Sequence, residues 1–468
     1  MSAASEAAPE AAPSRRGGGL DEYFKLSERG STLGTEARAG LTTFMVMAYI
    51  IFLNPSILMA GFKDADPNFT AVALAAGTAL IAGLLTIAMG VVGKYPFALA
   101  AGLGINAIVA FSLTGQGLSP AGAMGVIVWE GIVVTVLVLV GFREAVMNAV
   151  PLALKKAIGV GIGLFILFIG FANGGFVVAG AGTPVTFHLP TAAADFVFWI
   201  GLILTIVLWV LKVRAALVIS ILVTTIIALA AGVTSIPSDL VLTPSFTTLG
   251  QFDLTQVFNV LPLLTAITVI YTIMLTDFFD TMGTVTGVAA EAGLAKEDGS
   301  VPGVGRVLFV DSLAAVAGGL GGVSSNTTYI ESAAGVAEGG RTGIASIVTG
   351  VLFLFAIFLA PIAGIIPSVA TAPALILVGY LMFTQIKDID VTSVEDGIPA
   401  LLTMILMPLT YDITVGIGAG FISWVLIKVA RGKAGEVHPL MWVVAILFLV
   451  FFMQAWYLAF GQPAAPAA

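Results

Sequence analysis

Long apolar windows separated by short polar breaks run through almost the whole chain. They fall at residues 39–60, 71–93, 121–141, 157–176, 195–211, 215–232, 257–289, 304–323, 343–366 and 440–460. Each is close to the ~20 residues that an α-helix needs to cross a hydrocarbon core. Shorter or broken apolar stretches occupy 96–111 and 327–339, and the region 373–430 is interrupted by Pro399, Pro408 and Asp412. The windows are Gly-rich, low in charge and lack strict alternation. Barrel strands would be ~10 residues long and alternate apolar with polar. The pattern predicts an all-α polytopic membrane protein.

The basic residues fix the number of crossings. With the N-terminus cytoplasmic, all but one of the 19 Lys and Arg residues fall on one side. Arg15, Arg16, Lys25, Arg29 and Arg38 precede the first span; Lys94, Arg143, Lys155, Lys156, Lys212 and Arg214 continue the pattern, as do Lys296, Arg306, Arg341, Lys387, Lys428, Arg431 and Lys433. Lys63 alone falls outside. The positive-inside rule requires 96–111 and 327–339 to be real elements, because omitting either inverts everything after it, and it makes 398–430 a hairpin. The count is about fourteen crossings through residue 430, with 440–460 left open between a further crossing and a surface segment.

Each short element is third in its half, after two long spans. Halves of about seven elements are odd-numbered, so they must be inverted relative to one another. The expected organisation is a tail and pre-span segment at 1–38, a first repeat at 39–232, an extracellular connector at 233–256, a second repeat at 257–430, and a C-terminal apolar segment and tail at 431–468. Short, Gly-interrupted segments at corresponding positions point to a transporter's central site.

Composition narrows the classes of function. The chain is 59% hydrophobic and 10% charged, whereas soluble domains carry about 25% charged residues. No room remains for a separate enzymatic domain. The absence of cysteine removes disulfides and thiolate chemistry, and His188 and His438 lie in loop-like stretches, so neither a metal nor a cofactor is expected. Basic runs long enough to hold nucleic acid are missing. Residues 1–19 are rich in Ala, Pro, Ser and Gly and lack the apolar core of a signal peptide. They read as a cytoplasmic tail of a multi-pass plasma-membrane protein.

Acids inside apolar segments carry the chemistry. Asp277 and Asp280 sit in LTDFFDTMGTVTGVA, and Glu331 in TTYIESAAGVAEGG. Charge at membrane depth costs several kcal/mol (~2.5 or more) and normally faces a cavity. Asp277 and Asp280, three residues apart, lie near one helix face. Glu331 can accept two hydrogen bonds from adjacent N–H groups of a heterocycle. Withdrawal from water favours the neutral form of an unpaired carboxyl, which is the chemistry of proton symport; Asp280 and Glu331 are the candidates. The competing reading is a carboxylate satisfied by Ser or Thr hydroxyls for structure alone, and it weighs more for Asp277 and Asp311. For Glu130, in VIVWEGIVV, and Asp412 a structural or gating role leads. In YPFALAAGLGINAIVAF, Pro96, Gly102 and Gly104 shape a break and Asn106 offers a donor and an acceptor. Thr327, Thr328 and Ser332 flank Glu331, and Phe97 or Phe279 can stack on a flat ring.

The segments YFKLSERGSTLGTEARAGLTTFMVMAYIIFLNP, YPFALAAGLGINA, LTDFFDTMGTVTGVA and VDSLAAVAGGLGGVSSNTTYIESAAGVAEGGRTG resemble those of the azaguanine-resistance-type purine permeases, a branch of the nucleobase:cation symporter superfamily. The resemblance implies a 7+7 inverted repeat with core and gate domains, dimeric through the gate. It implies proton-coupled import of adenine, guanine and hypoxanthine. By motif, Asp280 resembles the family's eighth-span acid, Glu331 the tenth-span acid beside substrate, Asn106 the third-span asparagine, and Asp311 a ninth-span acid that is mainly structural. Ile108 and Val109 stand where aromatics are expected, and Ala101 where relatives often have proline; these changes bear on substrate preference. Within the fold the rival is a uracil, xanthine or anion transporter, and the acids argue against an anion. An intramembrane aspartyl protease is disfavoured because Asn106 follows GLGI where that enzyme needs its second aspartate.

Overall fold

The computed structural model describes residues 19–62, 66–141, 150–236, 243–296 and 300–461, with side chains to 453. Arg15, Arg16, Lys63 and Arg143 lie outside the described residues. Among those described, nine helices are long and apolar enough to cross a membrane.

A short helix, α1 (Gly19–Phe24), precedes the first span, which is two helices, α2 (Leu33–Met47) and α3 (Ile50–Phe62), meeting at Ala48 and Tyr49. The second span is α4 (Ala71–Ala88), which ends in a π-helical turn over Met89–Gly93. The third element is not one helix. It is strand β1 (Leu99–Ala101), then α5 (Leu103–Ala107), then a π-helical stretch over Ile108–Leu113. Next come α6 (Pro120–Leu139), α7 (Leu152–Asn173), a small hairpin of β2 (Val177–Val178) and β3 (Thr186–Phe187), α8 (Ala193–Val210) and α9 (Ala216–Ala230).

The second half opens with a one-turn helix, α10 (Gln256–Val260), and the long α11 (Leu263–Glu291), followed by α12 (Val304–Leu320). Its third element is again broken, as β4 (Asn326–Thr328) and α13 (Ser332–Ala337). Then follow α14 (Gly343–Ala356), α15 (Ala360–Ala363), α16 (Ser368–Phe383), α17 (Val394–Thr410), α18 (Ile413–Ala430) and α19 (Pro439–Gly461). The region 373–430 thus holds three helices, and 398–430 is the expected hairpin.

Packing displays the repeat directly. Numbering elements by crossing, the second packs on the eleventh (α4 on α14), and the equivalent contact seven elements on, ninth on fourth, is α12 on α6. The sixth–seventh pair, α8 with α9, recurs as α17 with α18. The third and tenth pair with each other through β1 and β4, and the fifth and twelfth, α7 and α16, do likewise. Two packed sets result. One gathers α2 to α6 with α11 to α15, the other α7 to α9 with α16 to α18, so each set draws on both sequence halves.

Glycines let these helices approach closely. A Cβ on Gly343 would collide with the backbone of Gly90, and one on Gly350 with Gly83 and Ile87. The connector is tied down by polar contacts. The Ser119 amide and hydroxyl both donate to Gln256 Oε1 (2.9 and 2.8 Å), and Trp129 Nε1 donates to the Leu254 carbonyl (2.9 Å). Asp253 accepts from the Thr255 hydroxyl and amide, which hold its carboxyl below the usual range.

The question left open by sequence, whether 440–460 crosses, is answered by α19. Phe448 packs edge-on against Phe421 of α18, ring centroids 5.9 Å apart, and Phe448 and Phe452 cover Gly418. Phe421 lies nine residues before the end of α18 and Phe448 nine residues after the start of α19. At ~1.5 Å per residue both are ~13 Å from the connecting turn. The helix therefore runs antiparallel to α18 through the same thickness instead of lying along the surface.

Candidate functional site

Strands β1 and β4 meet antiparallel, Leu99 opposite Thr328, Ala100 opposite Thr327 and Ala101 opposite Asn326. The ladder extends at both ends, with the Gly102 amide donating to Ser325 O and the Tyr329 amide to Ala98 O, each 2.9 Å. Non-helical backbone at membrane depth must be satisfied by protein, and here side chains complete the task. The Thr86 hydroxyl donates to Leu99 O and accepts from Leu99 N, Ser332 Oγ accepts from Ala98 N (2.9 Å), and the Tyr329 hydroxyl donates to Ala101 O.

Glu331 lies at the turn from β4 into α13. Its Oε1 accepts a 2.6 Å hydrogen bond from the hydroxyl of Tyr49, a fully buried residue at the break between α2 and α3. Tyr49 was not singled out by sequence, although it stands inside the MVMAYIIFLNP motif; a lone tyrosine in an apolar run gives no separate signal. Asp280, in the middle of α11, is surrounded by protein and near enough to Glu331 and Asp311 to feel their charge. Its side chain is nevertheless exposed. The exposed positions Asp280, Gly283, Gly287 and Ala290 form one stripe of α11 at helical spacing. A Cβ on Gly283 would meet open space, and Ile330, 55% exposed, borders the stripe at Gly287. Asp280 thus lies on an exposed stripe of α11 that runs toward the end carrying Lys296, and the half-buried Glu331 is within electrostatic reach of it.

Asp311, on α12, is committed to the scaffold. Its Oδ2 accepts from the Thr281 hydroxyl (2.7 Å), and its Oδ1 from the amide (2.8 Å) and hydroxyl (2.7 Å) of Thr328. One carboxylate thereby ties α11, α12 and β4 together, and Thr328, buried, is engaged with it. Thr327 shares a 2.7 Å hydroxyl contact with Thr281. Asn106, on α5, is fully buried with its amide oxygen and nitrogen both unpartnered. Phe97 stands apart from the other candidates: its ring is fully buried and stacked on Tyr95, centroids 5.1 Å and planes 11° apart. Phe279, beside Asp280, lies 5.6 Å beneath the Lys155 ammonium. Glu130 and Asp277 are buried on the facing surfaces of α6 and α11.

Two interrupted elements joined back to back inside an apolar bundle, with acids at their junction, have the architecture of a membrane transporter. The match to known proteins specifies which kind. A model described as Permease family (Xan_ur_permease) covers residues 34–419, and the chain belongs to that family. It is 40% identical over 446 residues to the guanine/hypoxanthine permease PbuG of Bacillus subtilis (strain 168), covering 93% of this chain and 99% of the relative. It is 38% identical to the adenine permease AdeP of Escherichia coli (strain K12), covering 92% and 96%. Among solved structures the fold is shared with the transmembrane domain of the cyanobacterial bicarbonate transporter BicA (TM-score 0.58, 15% identity, 83% of this chain and 97% of that one). It is also shared with SLC26A9 (TM-score 0.62, 13% identity, 88% and 67%). The architecture is the 7+7 inverted repeat of these transporters.

Proposed function

We propose that this chain imports purine nucleobases, with guanine, hypoxanthine and adenine as the substrate set, across the plasma membrane together with a proton. The observation that carries this reading is Asp280 within electrostatic reach of Glu331, in a chain aligned nearly end to end with guanine/hypoxanthine and adenine permeases; in this reading the exposed stripe of α11 lines the cavity that admits substrate. A purine offers adjacent ring N–H donors and a flat apolar face. Carboxylates accept such donors in pairs, and Phe279 supplies a ring beside the acid. Asn106, with both halves of its amide unpartnered, is suited to read the donor and acceptor edge that distinguishes one purine from another.

The set α7–α9 with α16–α18 serves in this reading as the gate, and the other set as the core that carries substrate. The N-terminus is cytoplasmic, so the stripe from Asp280 to Ala290 leads to the cytoplasm and the conformation is inward-facing. The assembled transporter is a homodimer through the gate. Uptake of radiolabelled hypoxanthine into cells expressing the chain, competed by a panel of purines and pyrimidines, tests the assignment. Guanine and adenine are expected to compete and uracil to fail. Efficient competition by uracil or xanthine alone would move the substrate class, and accumulation that survives an uncoupler but needs sodium would move the coupling ion.

A further inference from the structure

Behind the substrate acids is a second pair that the reading above leaves without a task. Glu130, on α6, is 0% exposed and Asp277, on α11, is 1% exposed. The two helices pack against each other, and the two carboxyls interact across that contact. Among the described residues none of their four oxygens has a protein donor, and Ser325 Oγ and Asn326 Oδ1, both fully buried at the β4 strand, are also without partners.

The charged groups around the pair are all acids. Asp311 faces it from α12 and Asp280 from farther along α11. Among the described residues no Lys, Arg or His forms an ion pair with Glu130 or Asp277. Two carboxylates in contact, dry and without a cation, cannot both be ionised. A structural acid in this protein looks different: Asp311 takes three donors from two other elements, α11 and β4, whereas among the described residues Glu130 and Asp277 take none.

We propose that Glu130 and Asp277 form a proton-holding dyad that is the coupling-ion site of this transporter, distinct from the acids that hold the base. One proton bridges the two carboxyls. A second neutralises the remaining charge, and it reaches the dyad from the cavity through Asp280 and the contact of Asp311 with the Thr281 hydroxyl. Uptake of that second proton forms one O–H bond on a carboxylate oxygen and removes one negative charge from the core. This division leaves Asp280 and Glu331 free to bind substrate while the ion rides elsewhere. The inference rests on the purine-symport reading for its substrate and on geometry alone for its proton.

The test compares purified wild type with Glu130→Gln and Asp277→Asn in liposomes, using hypoxanthine counterflow for binding and exchange and a pH gradient for accumulation. Each variant is expected to lose accumulation about tenfold more than counterflow, a ratio inside the usual range for coupled sites. Glu130→Asp, which keeps the carboxyl, should recover most of the accumulation. Equal loss of both activities, or loss of neither, overturns the proposal. A sodium gradient that drives wild-type accumulation at equal pH, but not that of Glu130→Gln, would give the site to a metal cation and also overturn it.

Infrared spectroscopy of the carboxyl C=O stretch, in H2O against D2O, supplies a readout that needs no transport. The double variant should lack a protonated-carboxyl band that wild type has; an unchanged band refutes the dyad. Failure of wild type itself to exchange any purine would instead refute the substrate reading and leave the infrared result to decide the dyad.

Discussion

Glu331 is held by a neutral hydroxyl and not by a cation, and this matters for what it can bind. A carboxylate locked to Arg or Lys has its lone pairs occupied, whereas the 2.6 Å bond from Tyr49 orients Glu331 without placing a cation on it. Hydrogen bonds to charged groups contribute about 1.5–3 kcal/mol, so Tyr49→Phe is expected to weaken hypoxanthine binding by about tenfold or more. Scintillation proximity binding on purified protein measures this. Asp280→Ala and Glu331→Ala should each abolish hypoxanthine uptake while the protein still reaches the membrane; near-normal uptake in both would remove the site. That acids stand mid-way along α11 and at the β4–α13 turn was readable from sequence because charge inside an apolar run is rare. Tyr49, Thr281 and the commitment of Thr328 to Asp311 were not, because hydroxyls are common in such runs and only tertiary contact assigns their partners. Phe97 was readable as an aromatic near a helix break, but sequence gives no direction for the ring, and packing turned it onto Tyr95.

At the scale of elements, the broken third and tenth segments depend on buried capping. Glu36, fully buried in α2, accepts from the amides of Arg341 (2.9 Å), Thr342 (3.2 Å) and Ala345 (3.2 Å), which closes the N-terminal turn of α14. Arg341 in turn donates to the carbonyls of Val336 and Gly340 at the end of α13. The same region shows why element boundaries were partly legible. Length and Gly content marked 327–339 as interrupted, but a three-residue strand produces no periodicity to read. Close packing explains the glycines that do not shape turns. On α14, Gly350 stands against the backbone of Gly83 on α4, so Gly350→Leu forces two spans apart. Overpacking of this kind costs about 1–3 kcal/mol, and the expected result is a lower melting temperature in detergent with correct membrane insertion. Gly283→Ala, by contrast, adds its methyl to open space and should leave the melting temperature unchanged.

For the whole molecule, the proposed transport cycle moves the two packed sets relative to each other, and among the described residues few polar contacts join them. Ser56 on α3 and Thr371 on α16 share a 2.6 Å hydroxyl contact across the boundary, and Arg214 pairs with Glu338. Across the same boundary the rings of Phe111 and Tyr411 meet edge to face, centroids 5.6 Å apart, and the Ser112 hydroxyl donates to the Tyr411 carbonyl. Contacts so sparse can be exchanged for others as the sets slide, which a continuous hydrogen-bonded seam would prevent. The absence of cysteine makes this testable without background. Ser56→Cys with Thr371→Cys puts two thiols where two hydroxyls now touch. Oxidation of that double variant is expected to stop hypoxanthine uptake and reduction to restore it, with each single variant insensitive to oxidant. Uptake that continues in the cross-linked protein would mean that the boundary between the sets stays fixed during transport, and the moving part would then have to be sought within one set, around the β1–β4 junction.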